Sequence, residues 1–167
     1  MATFQTPRGT YDILPGDWPY WRLVADTAEA VARRYGYQRI DTPMFEATEL
    51  FNRGAGASSD VVAKEMYTFE DKGGRSQTLR PESTAPVVRA YLQHGMHKLP
   101  QPVKLWYLSS FFRHERAQAG RYRQFWQVGA EAVGSAEPET DAETSPPLPM
   151  DWVDSSEMMI FGMLTPF

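Results

Sequence analysis

The 167-residue sequence predicts an α+β domain: an antiparallel sheet with flanking helices. Three observations lead there. β-prone runs occur in neighbouring pairs, as in EMYTFEDKGGRSQTLR and in VKLWYLSSFFRHE followed by RYRQFWQVGAEAV. The linkers inside those pairs are short and either glycine-bearing or small and polar, which suits hairpins. Segments of helical period stand beside the strand pairs instead of alternating with them, and no internal repeat is present.

Taken in order, a first helix is expected from Asp17 to about Tyr35. Asp17 is a candidate cap, Pro19 is tolerated in the first turn, and Gly36 can end the helix. Trp21, Val24, Ala25, Ala28, Val31, Ala32 and Tyr35 fall at helical spacing. YQRIDTP then reads as a short strand that stops near Pro43, TELFNR as a short helix or turn, and GAGASSD as a loop. The hairpin EMYTFEDKGGRSQTLR turns at its two glycines. After RPE a helix is expected at about Thr84–His94, with Val87, Val88, Tyr91 and Leu92 as its apolar face. VKLWYLSSFFRHE and RYRQFWQVGAEAV are the next two strands, joined through RAQAG.

Composition narrows the chemistry. Hydrophobic residues make up 42%, enough for a packed core. Cysteine is absent, which excludes disulfides, thiol catalysis and cysteine-bound zinc. The N-terminus has no apolar signal core and no run approaches a membrane span, so no membrane contact is expected and the cytoplasm is the default location. The formal charge of −4 hides an asymmetry: residues 131–157 hold eight acids and no base, and the remaining 17 basic and 13 acidic groups give the first 130 residues +4. A mildly basic body suits an anionic partner. The pair of histidines in HGMH has no acidic cluster beside it and is not read as a metal site.

The stretch FFRHERAQAGRYRQFWQ, residues 111–127, concentrates four arginines, a glutamate and several aromatics. Strand alternation puts Arg113 and Glu115 on one face, and Arg123, Phe125, Gln127, Gly129 and Glu131 on one face of the following strand. Trp126, Val128 and Ala130 point the other way, toward a core. Gly129 is expected to leave a gap between Gln127 and Glu131. Arginine forks match phosphate oxygens, a phenyl face suits a base, and Glu115 can accept from an exocyclic amine. Gln127 and Glu131 can orient an amine-bearing substrate. The residues thus describe a nucleotide site beside a polar pocket, although a charged hairpin face would use the same residue types. In TLRPEST, Glu82 is placed to bind an amino group; alternatively Ser83 or Thr84 merely caps the helix.

TPRGTYDILPG, GYQRIDTPMFE, KEMYTFEDKGG, TLRPESTAPVVRA and LWYLSSFFRHERAQAGRYRQFWQVGAE, in that order, resemble the N-terminal catalytic core of histidyl-tRNA synthetases, from about Thr6 to Glu143. These are class II aminoacyl-tRNA synthetases, so the resemblance implies an incomplete class II-like antiparallel sheet with flanking helices. It further implies roles. Arg113 would contact the α-phosphate of ATP and the carboxylate of histidine and is the one catalytic candidate. Glu115 would read the adenine amine, Phe125 stack on adenine, and Arg121 lie near the outer phosphates. Glu82, Thr84 and Gln127 would hold the α-amino group of histidine, with Glu131 facing its imidazole. Pro43 falls in the segment that builds the family's dimer interface. The implied partners are histidine, ATP with Mg²⁺, tRNA(His) and a second copy of the chain; no protein-bound metal is implied.

The sequence also departs from the family. Trp126 stands where histidine is common and Ser83 where glycine is frequent. TDAE, Thr140–Glu143, matches a capping box, but TSPPLP follows at once and no helix can continue. The resemblance stops there. The family's histidine-specific loop, third motif and anticodon-binding domain are not recognisable in residues 144–167. Residues 1–143 are therefore expected to form a partial synthetase core and 144–167 a divergent tail outside the fold. A chain of this kind is expected not to charge tRNA alone. Two other readings stand beside the ligase: the synthetase-like regulatory subunit of ATP phosphoribosyltransferase, in histidine biosynthesis, and an altered reading frame without independent function.

Overall fold

The computed structural model describes residues 4–53, 64–114, 121–135 and, by backbone alone, 159–164. Helix α1 (Trp18–Arg34) is followed by β1 (Gln38–Arg39), β2 (Phe45–Ala47) and α2 (Thr48–Arg53). Then come β3 (Thr68–Glu70), β4 (Ser76–Leu79), α3 (Thr84–Gln93), a 3₁₀ turn (Met96–Lys98), β5 (Val103–Phe112), β6 (Gln124–Val133) and β7 (Met159–Leu164). The expected GAGASSD loop lies outside the described residues.

Two sheets form instead of one. β1-β5-β6-β7 make a four-stranded sheet and β2-β4-β3 a three-stranded one. The long β5–β6 hairpin is antiparallel, from Val103 opposite Val133 to Phe112 opposite Gln124. β3 and β4 form the hairpin read from the two glycines, with Gly74 at φ 75° in its turn. The pairings are antiparallel as expected, except that the two-residue β1 runs parallel to β5. The tail differs too. Residues 144–167 carry no strand period, yet Met159–Leu164 pairs antiparallel with β6 and occupies that side of the sheet.

The large sheet is covered on both faces. On one, Leu105, Tyr107 and Phe111 of β5 and Phe125 of β6 pack with Val87 of α3. On the other, Trp106 and Ala130 pack with Tyr37 and with Ala28 and Ala32 of α1. Trp126 meets Trp21 of α1 edge-on, 5.4 Å between centroids, so this departure from the family is accommodated by packing behind the sheet.

Local details correct the sequence reading. Asp17 is the N-cap of α1, but its carboxylate accepts from Leu14 N instead of a helix N–H. In α3 the buried residues are Pro86, Val87, Ala90 and Tyr91, while Val88 and Leu92 face outward.

Arg80 joins the two sheets. It follows β4 and is buried, with Nε donating to Ser110 O at 2.8 Å and Nη1 to Thr42 O at 2.7 Å. Its backbone N–H donates to Met44 O, and its carbonyl accepts from Phe112 N. The guanidinium lies over the Phe111 ring, 5.3 Å from the centroid.

Candidate functional site

The segment Arg80-Pro81-Glu82 is fixed by backbone and guanidinium contacts before α3 begins. Arg80 anchors one end. Just past β5, Arg113 Nε donates to Pro81 O at 2.9 Å. Glu82 then turns its carboxylate onto the helix N-terminus, accepting from Thr84 N at 2.5 Å and from Ala85 N at 3.2 Å. Ser83 is the N-cap by position but its hydroxyl does not cap. The alternative in which Ser83 or Thr84 is simply the capping side chain is therefore not what the structure shows; Glu82 does that work.

Across this helix end lies Glu131, on β6. Thr84 Oγ1 donates to Glu131 Oε1 at 3.1 Å, tying α3 to the strand. Tyr107, one strand over on β5, has Glu131 and Ser83 as neighbours of its phenol, and burial pushes that phenol well above its ordinary range. Glu131 is buried, and burial, with Glu82 close by, pushes its carboxyl from 4.5 up to about 7. The bond from Thr84 opposes that rise. Burial raises Glu82 as well, offset by the helix N–H groups and by Arg113. Two largely buried carboxyl groups thus lie near each other, with one guanidinium close to Glu82.

Around the head of α3, Thr84 bonds both Glu82 and Glu131, while Arg113 bonds the carbonyl of Pro81 and lies over Phe125. Gln127 is buried on the same strand face, opposite Ser109. Arg121 is exposed, at the end of the hairpin away from Glu131. Glu115 lies outside the described residues.

Two expectations about shape change. The gap above Gly129 is filled: Tyr107 is its register partner, and a Cβ on Gly129 would overlap the phenol. Phe125 is buried in the core, and the Arg113 guanidinium lies over its ring at 5.2 Å, where a base was expected. Arg123 packs its stem over Gly9. Sequence reasoning missed Tyr107, Ser83 and Arg80 as parts of the site. Strand parity alone puts Tyr107 on the Arg113 face, but only the β5–β6 register brings it over Gly129.

Fold and site together define an aminoacyl-tRNA synthetase-like core. A family model described as Histidyl-tRNA synthetase matches residues 9–146. The chain is 61% identical over 140 residues to a histidine–tRNA ligase of Dehalococcoides mccartyi, covering 84% of this chain and 34% of that protein. A histidine–tRNA ligase of Desulforudis audaxviator is 61% identical over 137 residues, covering 82% and 33%. Among solved structures, apo histidyl-tRNA synthetase of S. aureus superposes with a TM-score of 0.70 at 46% identity, covering 84% of this chain and 32% of that one. An ATP phosphoribosyltransferase regulatory subunit/histidyl-tRNA synthetase from Bacillus halodurans C gives 0.72 at 24% identity, over 86% and 37%, a likeness of fold alone. The chain belongs to the histidyl-tRNA synthetase family. It spans about a third of the length of the curated relatives it matches.

Proposed function

We propose that this chain carries part of the active site of a class II histidine–tRNA ligase. Its share is the part that receives the amino and imidazole ends of histidine and the α-phosphate and base of ATP. The observation that supports this most is the meeting of Glu82, Thr84, Arg113 and Glu131 at the head of α3. In the reaction, the histidine carboxylate attacks the α-phosphorus. A new carboxyl–phosphate bond forms, the bond to pyrophosphate breaks, and the acyl group then passes to the terminal ribose of tRNA(His). Such transfers depend on positioning and charge neutralisation. Arg113 supplies charge at the α-phosphate and Arg121 nearer the outer phosphates. Glu82, Thr84 and Gln127 hold the α-amino group and Glu131 the imidazole. Phe125 and Glu115 take the adenine, which requires the Arg113 guanidinium to leave the Phe125 ring.

Mg²⁺ is expected from the family. Among the described residues no group of three or more acidic or histidine side chains converges. The positive charge they offer to the phosphates is guanidinium.

Residues 1–143 form the synthetase unit on this reading, in keeping with a family match that ends at residue 146. A cytoplasmic setting goes with it; no helix among the described residues is long and apolar enough to cross a membrane. A homodimer also goes with it. Met44 and Phe45, beside Pro43, are 54% and 52% exposed, and Phe45 contacts the exposed Phe69.

Titration calorimetry of the purified chain tests the site: histidine and ATP should bind weakly, alanine not at all, and tRNA should not be charged. Charging by the 167-residue chain would overturn the partial-site reading. Histidine-dependent ATP–pyrophosphate exchange by a longer product of the same gene separates ligase from phosphoribosyltransferase regulator; its absence favours the regulator.

A further inference from the structure

The order β1-β5-β6-β7 leaves β7 outermost, laid along the side of β6 that β5 does not use. By itself β6 would make a hazardous edge. It is ten residues long, and QFWQVGAEAV holds no lysine, arginine or proline and a single acid. Phe125, Gln127, Val128, Ala130 and Glu131 are buried, so the backbone N–H and C=O groups along that side need protein partners. A long apolar strand left unpaired is a template for another chain. Met159–Leu164 meets that need. MIFGML carries no charge and no proline, and it pairs from Met159 opposite Ala130 to Leu164 opposite Trp126. It also makes a safer edge than β6. It has six residues, and the register shifts between Gln127 and Val128, which leaves Gly162 as the extra residue of a bulge. The strand lies past residue 146, where the family match ends.

We propose that the outer edge of β6 is a strand-accepting surface, and that residues 159–164 fill it as a plug that keeps it from pairing with a second copy of the chain. The plug belongs to the same chain as its groove, so it competes with a second copy at the advantage of an intramolecular partner. Displacing it would let two β6 edges meet antiparallel about a two-fold axis and join the two large sheets into one. Backbone hydrogen bonds would supply that contact, and the apolar, nearly uncharged run of β6 offers little repulsion against its own copy. This edge is separate from the exposed Phe45 and Phe69 of the small sheet. The plug does not depend on the ligase reading, since it rests on strand pairing alone.

Amide hydrogen exchange of the full chain reads the plug directly. Successive residues of a strand turn their N–H groups to opposite sides, so among Val128, Gly129 and Ala130 at least one amide faces β5 and at least one faces β7. All three should exchange about a hundredfold or more slower than in an unstructured chain. Alternating fast and slow amides along the three would mean an open edge and would overturn the plug. Ile160 and Phe161 are neighbours in the regular part of β7, so proline at one removes a ladder donor and proline at the other removes an N–H directed to solvent. Only one of Ile160→Pro and Phe161→Pro should therefore speed the β7-facing amides, by about tenfold or more, with the β5-facing amides unchanged. Both or neither doing so overturns the plug. A lysine-flanked peptide of residues 159–164, added to the disrupted variant, should slow those amides again, and the same peptide carrying the disruptive proline should not. A peptide without effect overturns the strand-accepting surface. In sedimentation velocity the disrupted variant should dimerise at about tenfold lower concentration than the parent, also with Phe45→Lys present. A variant that stays monomeric, or whose association vanishes with Phe45→Lys, removes the second copy from this edge. If the disruptive proline unfolds the chain, exchange in the parent decides alone.

Discussion

Glu131 sits in a conflict between burial and charge, and the conflict has a measurable sign. Its folded-state value near 7 exceeds the ordinary 4.5, so the folded chain binds a proton between those values that the unfolded chain has released. Its contribution to stability is complete below about pH 4.5 and is lost as pH rises through 7. Glu82, raised by burial as well, acts in the same direction. The Glu131 shift corresponds to about 3 kcal/mol across that window. Urea denaturation at pH 5.5 and pH 8 should show the chain losing stability at the higher pH. Glu131→Gln, neutral throughout, should flatten that slope and be the more stable form at pH 8. Equal slopes in the two proteins would mean that Glu131 is solvated and not buried as described. Part of this residue-scale chemistry was legible: residue type and strand alternation singled out Arg113, Gln127 and Glu131, the place of Glu82 before a helix suggested it, and Thr84 entered only through the family resemblance. Tyr107 was not legible, because its position over Gly129 depends on how β5 and β6 are paired, which local sequence does not state. Nor was the guanidinium over Phe125, a side-chain arrangement that depends on the carbonyl of Pro81 being within reach of Arg113.

Among the elements, hairpins were the easiest to read and helix faces the hardest. EDKGG marks its own turn, since Gly74 takes a positive φ that other residues resist. In α3 the apolar residues run as two adjacent stripes, Val87 with Tyr91 and Val88 with Leu92, and only the sheet beneath decides that the first is buried. β1 is two residues long, too short for alternation to reveal a direction, so its parallel pairing was invisible. The joint between the sheets was equally hidden, because it depends on one arginine with distant partners. Arg80 satisfies the carbonyls of Ser110 and Thr42, and burial works against its charge. Arg80→Met would keep much of the apolar stem but leave both carbonyls without the guanidinium. The expected loss is about 3 kcal/mol or more, since hydrogen bonds to a charged group are worth roughly 1.5–3 kcal/mol each. Arg80→Lys should recover only part of it, as an ammonium cannot reproduce the fork. A Met variant within about 1 kcal/mol of the parent in urea would show that the sheets are held by apolar packing alone.

At the scale of the whole molecule, the buried core accounts for the large sheet and leaves the small one half covered. α1 and α3 close the two faces of β1-β5-β6-β7. The β2-β4-β3 sheet is tied to α3 through the Glu46–Arg89 ion pair, while Phe45 and Phe69, on strands flanking β4, stay exposed in edge-on contact. Scattered apolar side chains on a surface need no explanation, but two touching aromatics beside an exposed Met44 form a patch. Pro43, next to Met44, falls in the segment that resemblance assigns to a subunit interface. On the homodimer reading, light scattering after size exclusion should give a mass that rises toward twice 19.0 kDa as concentration increases. Phe45→Lys should shift that equilibrium to monomer by about tenfold or more if this aromatic is buried at the centre of the contact. Because Phe45 is exposed in the single chain, the substitution should change the unfolding midpoint of the monomer little. A chain that stays monomeric to millimolar concentration, or a Phe45→Lys variant that associates as well as the parent, would remove this sheet from the interface.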